Sequence, residues 1–526
     1  MRTALLLFWT PLLAAQEPPR SRLEPEPAVP AKPAGWDRSA AELSAALQGK
    51  EPENLPRLLR EIASWDSAEA AEKLLSAFLK SVRQLESHDA QETRLTRRLD
   101  EIGMKFVGAY SRHPNSQEAV ALARQYTAAR REYEALLDQI AFQEAGVEAI
   151  LDTLGRFRSA EAVEAIVRQT QGAYSLRYRA RLIETLGRNR TATALRGLLE
   201  VLATKPKDVE CLAATRALGA LGEPAPEAAA ALRESLASEH RQVRTAAAEA
   251  IAALGIRALT EAILEALKIS RGRCAADLNE ALKKLTGVDK HGNYDAWKAW
   301  WDRNREAFLA GAYRPEPLEK AGSAGTTTFY GIPVISDAVA FVVDVSGSMW
   351  QPASWKPSPE EGAPPGLRLA GDLKIHVLQY ELKKTLLKLP EGALVCLIFF
   401  DSNLHLYGGG PVRLTASRRK SMADFVDSLQ QGTMTNLWAA MVKALSYAGD
   451  AQAPSLRKDG IDTIYVLTDG VPTMGVTEAP RFLNRFAALN RFTDVRVHAV
   501  QIGADAEARA LLKPLAERTG GGHFER

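Results

Sequence analysis

Two kinds of hydrophobic patterning divide this chain. Up to about residue 310, apolar positions recur at helical spacing, as at Leu74, Leu75, Phe78, Leu79 and Val82. Charges such as Arg94, Arg97, Arg98 and Asp100 fill the opposite faces and read as solvated helix surface. Beyond residue 337 the pattern changes to short unbroken apolar runs at 338–343, 393–400, 463–467 and 495–502. Helix-like stretches separate them, notably 367–388, 416–429, 435–447 and 505–518. Such runs read as strands buried on both faces, and their alternation with helices predicts a mostly parallel sheet covered on both sides. The expected fold class is multidomain: an all-α region followed by an α/β doubly wound, mostly parallel sheet.

Within the helical region, residues 37–140 carry no chemical motif. Residues 141–310 repeat. Leu154-Gly155, Leu186-Gly187, Leu221-Gly222 and Leu254-Gly255 each follow an Ala/Leu-rich stretch, and Thr286-Gly287 continues the series. The glycines are 32, 35, 33 and 32 residues apart. A glycine just past a helix end supplies the left-handed cap conformation, and periods of this size mark stacked helix pairs. The segment resembles a short HEAT-like solenoid, which implies an extended surface for a protein partner. Trp297, Trp300 and Trp301 lie on nearly one face of a helix and read as a hydrophobic cap on the last repeat rather than an aromatic binding platform.

Composition and targeting signals narrow the setting. A chain of 526 residues exceeds one core, and about two to four domains are expected. The net charge of +3 is small for this length and gives no footprint for nucleic acid or an anionic membrane. Cys211, Cys274 and Cys396 are far apart and have no metal-ligand spacing, so neither a disulfide framework nor a thiolate site is expected. Arg2, the apolar run Ala4 to Trp9, and the small residues Ala14 and Ala15 read as a signal peptide over 1–15. It is too short for an ordinary membrane span, and no other stretch is apolar enough for one. Export to the periplasm or the extracellular space follows as an expectation. Residues 16–36 form a Pro-rich linker, and 311–336, with Pro315, Pro317, Gly322, Gly325 and Pro333, form a second one.

The chemistry concentrates at the strand ends of the last domain, 337–526. Asp344-Val345-Ser346-Gly347-Ser348 follows the run Val339 to Val343 directly. In open α/β sheets ligands sit beyond the carboxyl ends of the strands, and an all-oxygen set of Asp and Ser suits a hard cation such as Mg²⁺. Asp469, followed by Gly470, leaves a second buried run, Thr463 to Leu467. The segment Gly432-Thr433-Met434-Thr435-Asn436 precedes a helix and offers two hydroxyls; Thr435 is the better candidate and Thr433 the fallback.

These three segments, in this order, resemble the metal-ion-dependent adhesion site of a von Willebrand factor type A domain. That motif reads Asp-x-Ser-x-Ser, then a loop threonine, then an Asp before Gly. The stretch Pro514 to Gly521 also resembles the family's last helix and its turn into the final strand. The resemblance covers about a third of the chain. It departs at Gly432-Thr433-Met434-Thr435, where the family commonly has Gly-Gly-Thr, and in the Pro-rich loop 351–366 beside the site. It implies that Asp344, Ser346, Ser348, Thr435 and Asp469 hold Mg²⁺, or Mn²⁺ or Ca²⁺ in its place. Two carboxylates balance the ion and hydroxyls add no charge, so an Asp or Glu carboxylate of a protein partner is expected to complete the shell.

An enzyme is not expected. A phosphotransferase built on Asp344 would want a second carboxylate two residues on, where Ser346 stands. No phosphate-binding glycine loop and no Gly-x-Ser-x-Gly elbow occurs. His376, His405, His498 and His523 belong to this domain without a visible catalytic partner, and His498 alternates within a strand as a packed residue. The pattern therefore predicts an exported adaptor that grips a protein through its cation site, with the helical repeats as a second surface. A metal-independent scaffold is the alternative, and a Mg²⁺-dependent hydrolase the more distant one.

Overall fold

The computed structural model describes residues 28–315, 327–357, 364, 366–450 and 455–526. The expected signal peptide 1–15, most of the linker 16–36 and the middle of the linker 311–336 lie outside the described residues. Helices α1 (Trp36–Leu47) and α2 (Leu55–Ala63) lead into a long hairpin of α3 (Ala68–Arg112) and α4 (Gln117–Leu154). At 45 residues, α3 spans roughly 68 Å. Leu74, Leu75, Phe78 and Val82 are buried, as their spacing predicts. The helix α4 runs unbroken past residue 140, where composition suggests a boundary.

Nine shorter helices follow: α5 (Ala160–Gln169), α6 (Leu176–Asn189), α7 (Ala192–Ala203), α8 (Asp208–Ala220), α9 (Pro226–Leu236), α10 (Arg241–Ala253), α11 (Thr260–Ile269), α12 (Gly272–Thr286) and α13 (Tyr294–Leu309). Each packs on the helix two places along, so that α4, α6, α8, α10 and α12 form one layer and α5, α7, α9, α11 and α13 the other. Hydroxyl caps start α5 and α7. Thr191 Oγ1, for example, accepts the Ala194 N–H at 3.1 Å, a cap worth about 1 kcal/mol.

The periodic glycines do not all act alike. Gly222, Gly255 and Gly287 take the expected left-handed conformation, with φ of 84°, 65° and 76°. Gly155 caps α4 with φ −67°, and Gly187 lies inside α6, which continues to Asn189. A Cβ on Gly187 would stand 2.4 Å from the Ala217 carbonyl oxygen, so this glycine serves close approach of α6 and α8 instead. Trp297, Trp300 and Trp301 are buried in an edge-to-face cluster with Phe308, and the Trp297 indole N–H donates to Asn279 Oδ1 at 2.8 Å. They close the end of the array as a hydrophobic cap.

A small hairpin, β1 (Thr328–Phe329) and β2 (Ile332–Pro333), precedes the α/β domain. Its main strands are β3 (Ala338–Asp344) and β4 (Leu394–Phe400), then the short β5 (Leu404–Leu406) and β6 (Val412–Arg413). After a two-residue pair, β7 (Gly449–Asp450) and β8 (Ser455–Leu456), come β9 (Thr463–Thr468), β10 (Arg496–Gln501) and β11 (His523–Glu525). The sheet order is β11-β10-β9-β3-β4-β5, with β6 also on β4. The pairs from β11 to β4 are parallel, and β5 and β6 add antiparallel edges that their brevity hid in the sequence. Helices α14 (Lys374–Lys388), α15 (Ala416–Asp427), α16 (Leu437–Ser446), α17 (Ala479–Thr493) and α18 (Ala506–Arg518) cover the faces. Central strands such as Val339 to Val343 are wholly buried; each such side chain contributes about 1.5–3 kcal/mol. Helix α14 starts seven residues later than the apolar pattern suggests, because Leu373 pairs with Pro352 in a β-bridge.

The array and the α/β domain pack against each other through arginines of the inner layer. Arg216 of α8 donates to the Arg491 carbonyl at 2.9 Å, and Arg241 of α10 to the Thr493 carbonyl at 3.1 Å. Arg273 of α12 donates to the Asp462 carbonyl at 2.7 Å and pairs with the Asp494 carboxylate at 3.0 Å. Asp462 immediately precedes β9 and Asp494 lies two residues before β10, so the inner layer holds the amino ends of the strands. The opposite, carboxyl edge carries the candidate site.

Candidate functional site at the carboxyl edge of the sheet

Asp344 ends β3 and Thr468 ends β9, the strand beside it. A parallel pair brings both chain exits to one edge, which is why residues 124 positions apart meet. Asp344 Oδ2 accepts the Thr468 hydroxyl at 2.6 Å, and Asp344 Oδ1 accepts the Ser346 N–H at 2.8 Å. The Ser346 and Ser348 hydroxyl oxygens are 3.2 Å apart. Ser348 donates to Asp469 Oδ1 at 2.7 Å, and the Lys374 ammonium donates to Asp469 Oδ2, also at 2.7 Å. A continuous polar chain thus runs Thr468, Asp344, Ser346, Ser348, Asp469, Lys374. Four of the five site residues expected from the sequence lie within it.

The fifth, Thr435, lies in the adjoining loop. The Gly432 N–H donates to the Val345 carbonyl at 2.9 Å, which ties the loop to the end of β3. The Asn436 N–H donates to the Asp401 carbonyl at 2.8 Å, and the Asn436 side chain caps α16 through the Ala439 N–H. Thr435 is buried, and its backbone is held on both sides by Thr473: its N–H donates to Thr473 Oγ1 and its carbonyl accepts the Thr473 N–H, each at 2.9 Å. Thr433 instead shares a 3.1 Å exposed contact with Ser402 Oγ. The structure brings Thr435, not Thr433, into the buried part of this loop.

Asp344 is fully buried. Burial pushes its carboxyl up to about 6; the hydrogen bonds from Ser346 and Thr468 oppose the rise, and the nearby Asp469 charge adds to it. The Asp469 side chain is 1 % exposed. Two buried carboxylates with the Ser346 and Ser348 hydroxyls between them suit a hard divalent cation: oxygen donors only, with charge to balance two positive charges. Among the described residues no cluster of three or more His, Cys, Asp or Glu could hold a metal, so any ion here depends on hydroxyl ligands.

Beside Thr468, two more residues that sequence reasoning missed complete the surroundings. Lys374, the first residue of α14, has no motif of its own; folding back the loop after Ser348 places it here. Thr473 lies in an irregular loop where no periodicity points to it. The α3–α4 hairpin also comes alongside this edge: Arg130 donates to Thr477 Oγ1 at 2.9 Å, and a Cβ on Gly103 would stand 3.2 Å from the Met474 methyl.

The histidines of the domain have partners elsewhere. His376 Nδ1 accepts the Leu373 N–H, His405 lies 3.2 Å from Asp401 Oδ1, and His523 from Gln501 Oε1 at 3.1 Å. His498 stacks on Tyr465 and its Nδ1 accepts the Gly522 N–H at 3.0 Å, as its strand pattern predicts. Cys396 is buried in β4, and the three cysteines are free thiols. Among the described residues no helix is long and apolar enough to cross a membrane.

No family model matches this chain, and no curated protein matches it. Among solved structures it is similar to an aerotolerance-related membrane protein from Bacteroides fragilis NCTC 9343 carrying multiple mutations to serines. The identity is 16% and the TM-score 0.24, over 36% of this chain and 90% of that one.

Proposed function

We propose that residues 337–526 form a von Willebrand factor A-like domain that binds a protein partner through a divalent cation, Mg²⁺ or Mn²⁺ or Ca²⁺ in its place. The hydrogen-bonded chain from Asp344 to Asp469 at the carboxyl edge of the parallel sheet carries this reading. Asp344, Ser346, Ser348, Thr435 and Asp469 would hold the ion, and the ion supplies a Lewis-acidic position for a partner's Asp or Glu carboxylate. Their roles are to present oxygens, exclude bulk water and keep the local charge near neutral, so that a further anion is welcome. None of the four histidines reaches these residues, which favours grip over catalysis. The stacked layers of α4 to α13 support a HEAT-like array; its inner layer holds the chain's own α/β domain, which leaves its remaining faces for a second partner surface. With the leader expected at 1–15, the adaptor acts after export, in the periplasm or outside the cell.

Calorimetric titration with Mg²⁺ tests the site, using the full chain and the Asp344→Ala/Ser346→Ala double variant. Heat of binding in the first and none in the second is expected. Partner capture from envelope extract should likewise need Mg²⁺, fail in chelator and fail in the double variant. Equal capture in every case would sink the cation-dependent reading and favour a metal-independent scaffold.

A further inference from the structure

Both oxygens of Asp469 are taken. Ser348 donates to Oδ1, and the Lys374 ammonium donates to Oδ2 at 2.7 Å with its side chain 15 % exposed. Lys374 is not a free surface cation that happens to reach inward. Its own N–H donates to the Gln351 carbonyl at 3.0 Å, and the Ala353 N–H donates to the Asp372 carbonyl at 2.8 Å. Together with the Pro352–Leu373 bridge, these bonds close the loop that begins directly after Ser348. The first turn of α14 is therefore pinned to Gln351, three residues past Ser348, and its lysine reaches the carboxylate that follows β9.

We infer that Lys374 is a tethered competitor for the cation: its ammonium neutralises Asp469 when the site is empty and must be displaced for a divalent ion to bind with full strength. The inference rests on the cation-site reading given above. A charge-assisted hydrogen bond to a buried carboxylate is among the stronger ones, so losing it opposes metal entry. The same contact removes the cost of leaving Asp469 buried and unpaired, so the metal-free fold is held by the lysine.

The test uses the full chain and Lys374→Met, which keeps the stem length and removes the charge, with Lys374→Arg as the charge-retaining control. Calorimetry with Mg²⁺ alone should show about tenfold tighter binding in Lys374→Met than in the parent, and little change in Lys374→Arg. Thermal melting gives a second readout. In chelator, Lys374→Met should melt below the parent, and added Mg²⁺ should close the gap. Equal or weaker Mg²⁺ binding by Lys374→Met overturns the inference, while binding that still disappears on Asp344→Ala leaves the cation site standing. Binding that persists in the Asp344→Ala protein overturns both.

Discussion

The Thr473 hydroxyl accepts the Thr435 N–H at 2.9 Å while the Thr473 N–H returns a bond to the Thr435 carbonyl. This reciprocal pair locks one threonine of the Gly432-to-Asn436 loop and leaves Thr433 on Ser402 at the surface. The two hydroxyls should therefore behave differently. Thr435→Ala is expected to weaken Mg²⁺ binding at least about tenfold, as loss of one oxygen ligand does, whereas Thr433→Ala should bind as the parent. Thr473→Val should fall between them, because it loosens the loop without removing a ligand. Calorimetric affinities for the three variants check this order.

The elevated Asp344 carboxyl gives a pH dependence with two opposite signs. Its folded value of about 6 lies above the ordinary 3.8, with burial as the main cause. Metal takes the ionised form, so Mg²⁺ affinity should rise as pH increases through about 6. Without metal the sign reverses. A carboxyl raised in the folded state contributes stability that is fully present below 3.8 and is lost as pH climbs through about 6. In chelator this group therefore favours acid, and Mg²⁺ stabilisation should grow between about pH 5 and about pH 7.5. Melting curves with and without Mg²⁺ across that range measure the difference; a gap of constant size would speak against Asp344 as a ligand.

Much of this arrangement is written in local pattern. The unbroken run Val339 to Val343 specifies a doubly buried strand, and Asp344 interrupts it where the chain must leave the sheet. Asp469 does the same after Leu467, which is why both carboxylates were legible without knowing the strand order. Leu74, Phe78 and Val82 likewise fix the buried stripe of α3 by spacing alone. What stayed hidden depends on long-range closure. Lys374 reaches Asp469 only because the loop after Ser348 folds back, and Thr473 meets Thr435 across 38 positions. Strands β5 and β6 have three and two residues, too few for a period to show, whereas the final strand β11 is expected after the turn at Gly520-Gly521. The docking of the array on the sheet was equally invisible, since arginines on a helix face read as ordinary solvated charge until Asp462 and Asp494 are brought opposite them.

Arg273 is one of the arginines that hold that docking. Its side chain is 6 % exposed, and its guanidinium bridges the Asp462 carbonyl and the Asp494 carboxylate at the amino ends of β9 and β10. Burial alone would raise Asp494, but Arg273, Arg241, Arg216 and Arg496 outweigh it and hold the carboxyl below the usual range. Arg273→Ala leaves that anion and Asp277 short of a partner inside the interface. The Asp494 side chain is 36 % exposed and keeps Arg241, and Asp277 keeps Arg496, so a loss of about 1–2 kcal/mol in chemical denaturation is expected, below the full scale for a buried pair. Calorimetric Mg²⁺ binding should survive in the folded fraction, because the site is at the opposite edge of the sheet.

The repeated glycines give the sharpest contrast, because one sequence motif does three physical jobs. At Gly187 an added Cβ meets the Ala217 carbonyl oxygen at 2.4 Å and its Cα at 2.7 Å, both backbone atoms that cannot turn aside. Gly187→Ala must push α6 from α8 and should cost about 1–3 kcal/mol. At Gly222 there is open space but φ is +84°, so Gly222→Ala is strained by its own backbone and should cost about 1 kcal/mol. At Gly155 the nearest atoms belong to the Arg188 side chain, at 2.9 Å and beyond, and φ is −67°. The Arg188 Cβ stands 3.0 Å away, fixed to the α6 backbone, and its guanidinium is bonded to Asp152 and the Leu151 carbonyl, so Gly155→Ala should cost something, but less than Gly187→Ala with its backbone clash at 2.4 Å. Thermal melts of the three variants should place Gly187→Ala lowest, with Gly222→Ala and Gly155→Ala between it and the parent. If Gly155→Ala instead falls as far as Gly187→Ala, the Leu-Gly period reports a uniform cap requirement rather than the separate contacts described for each glycine.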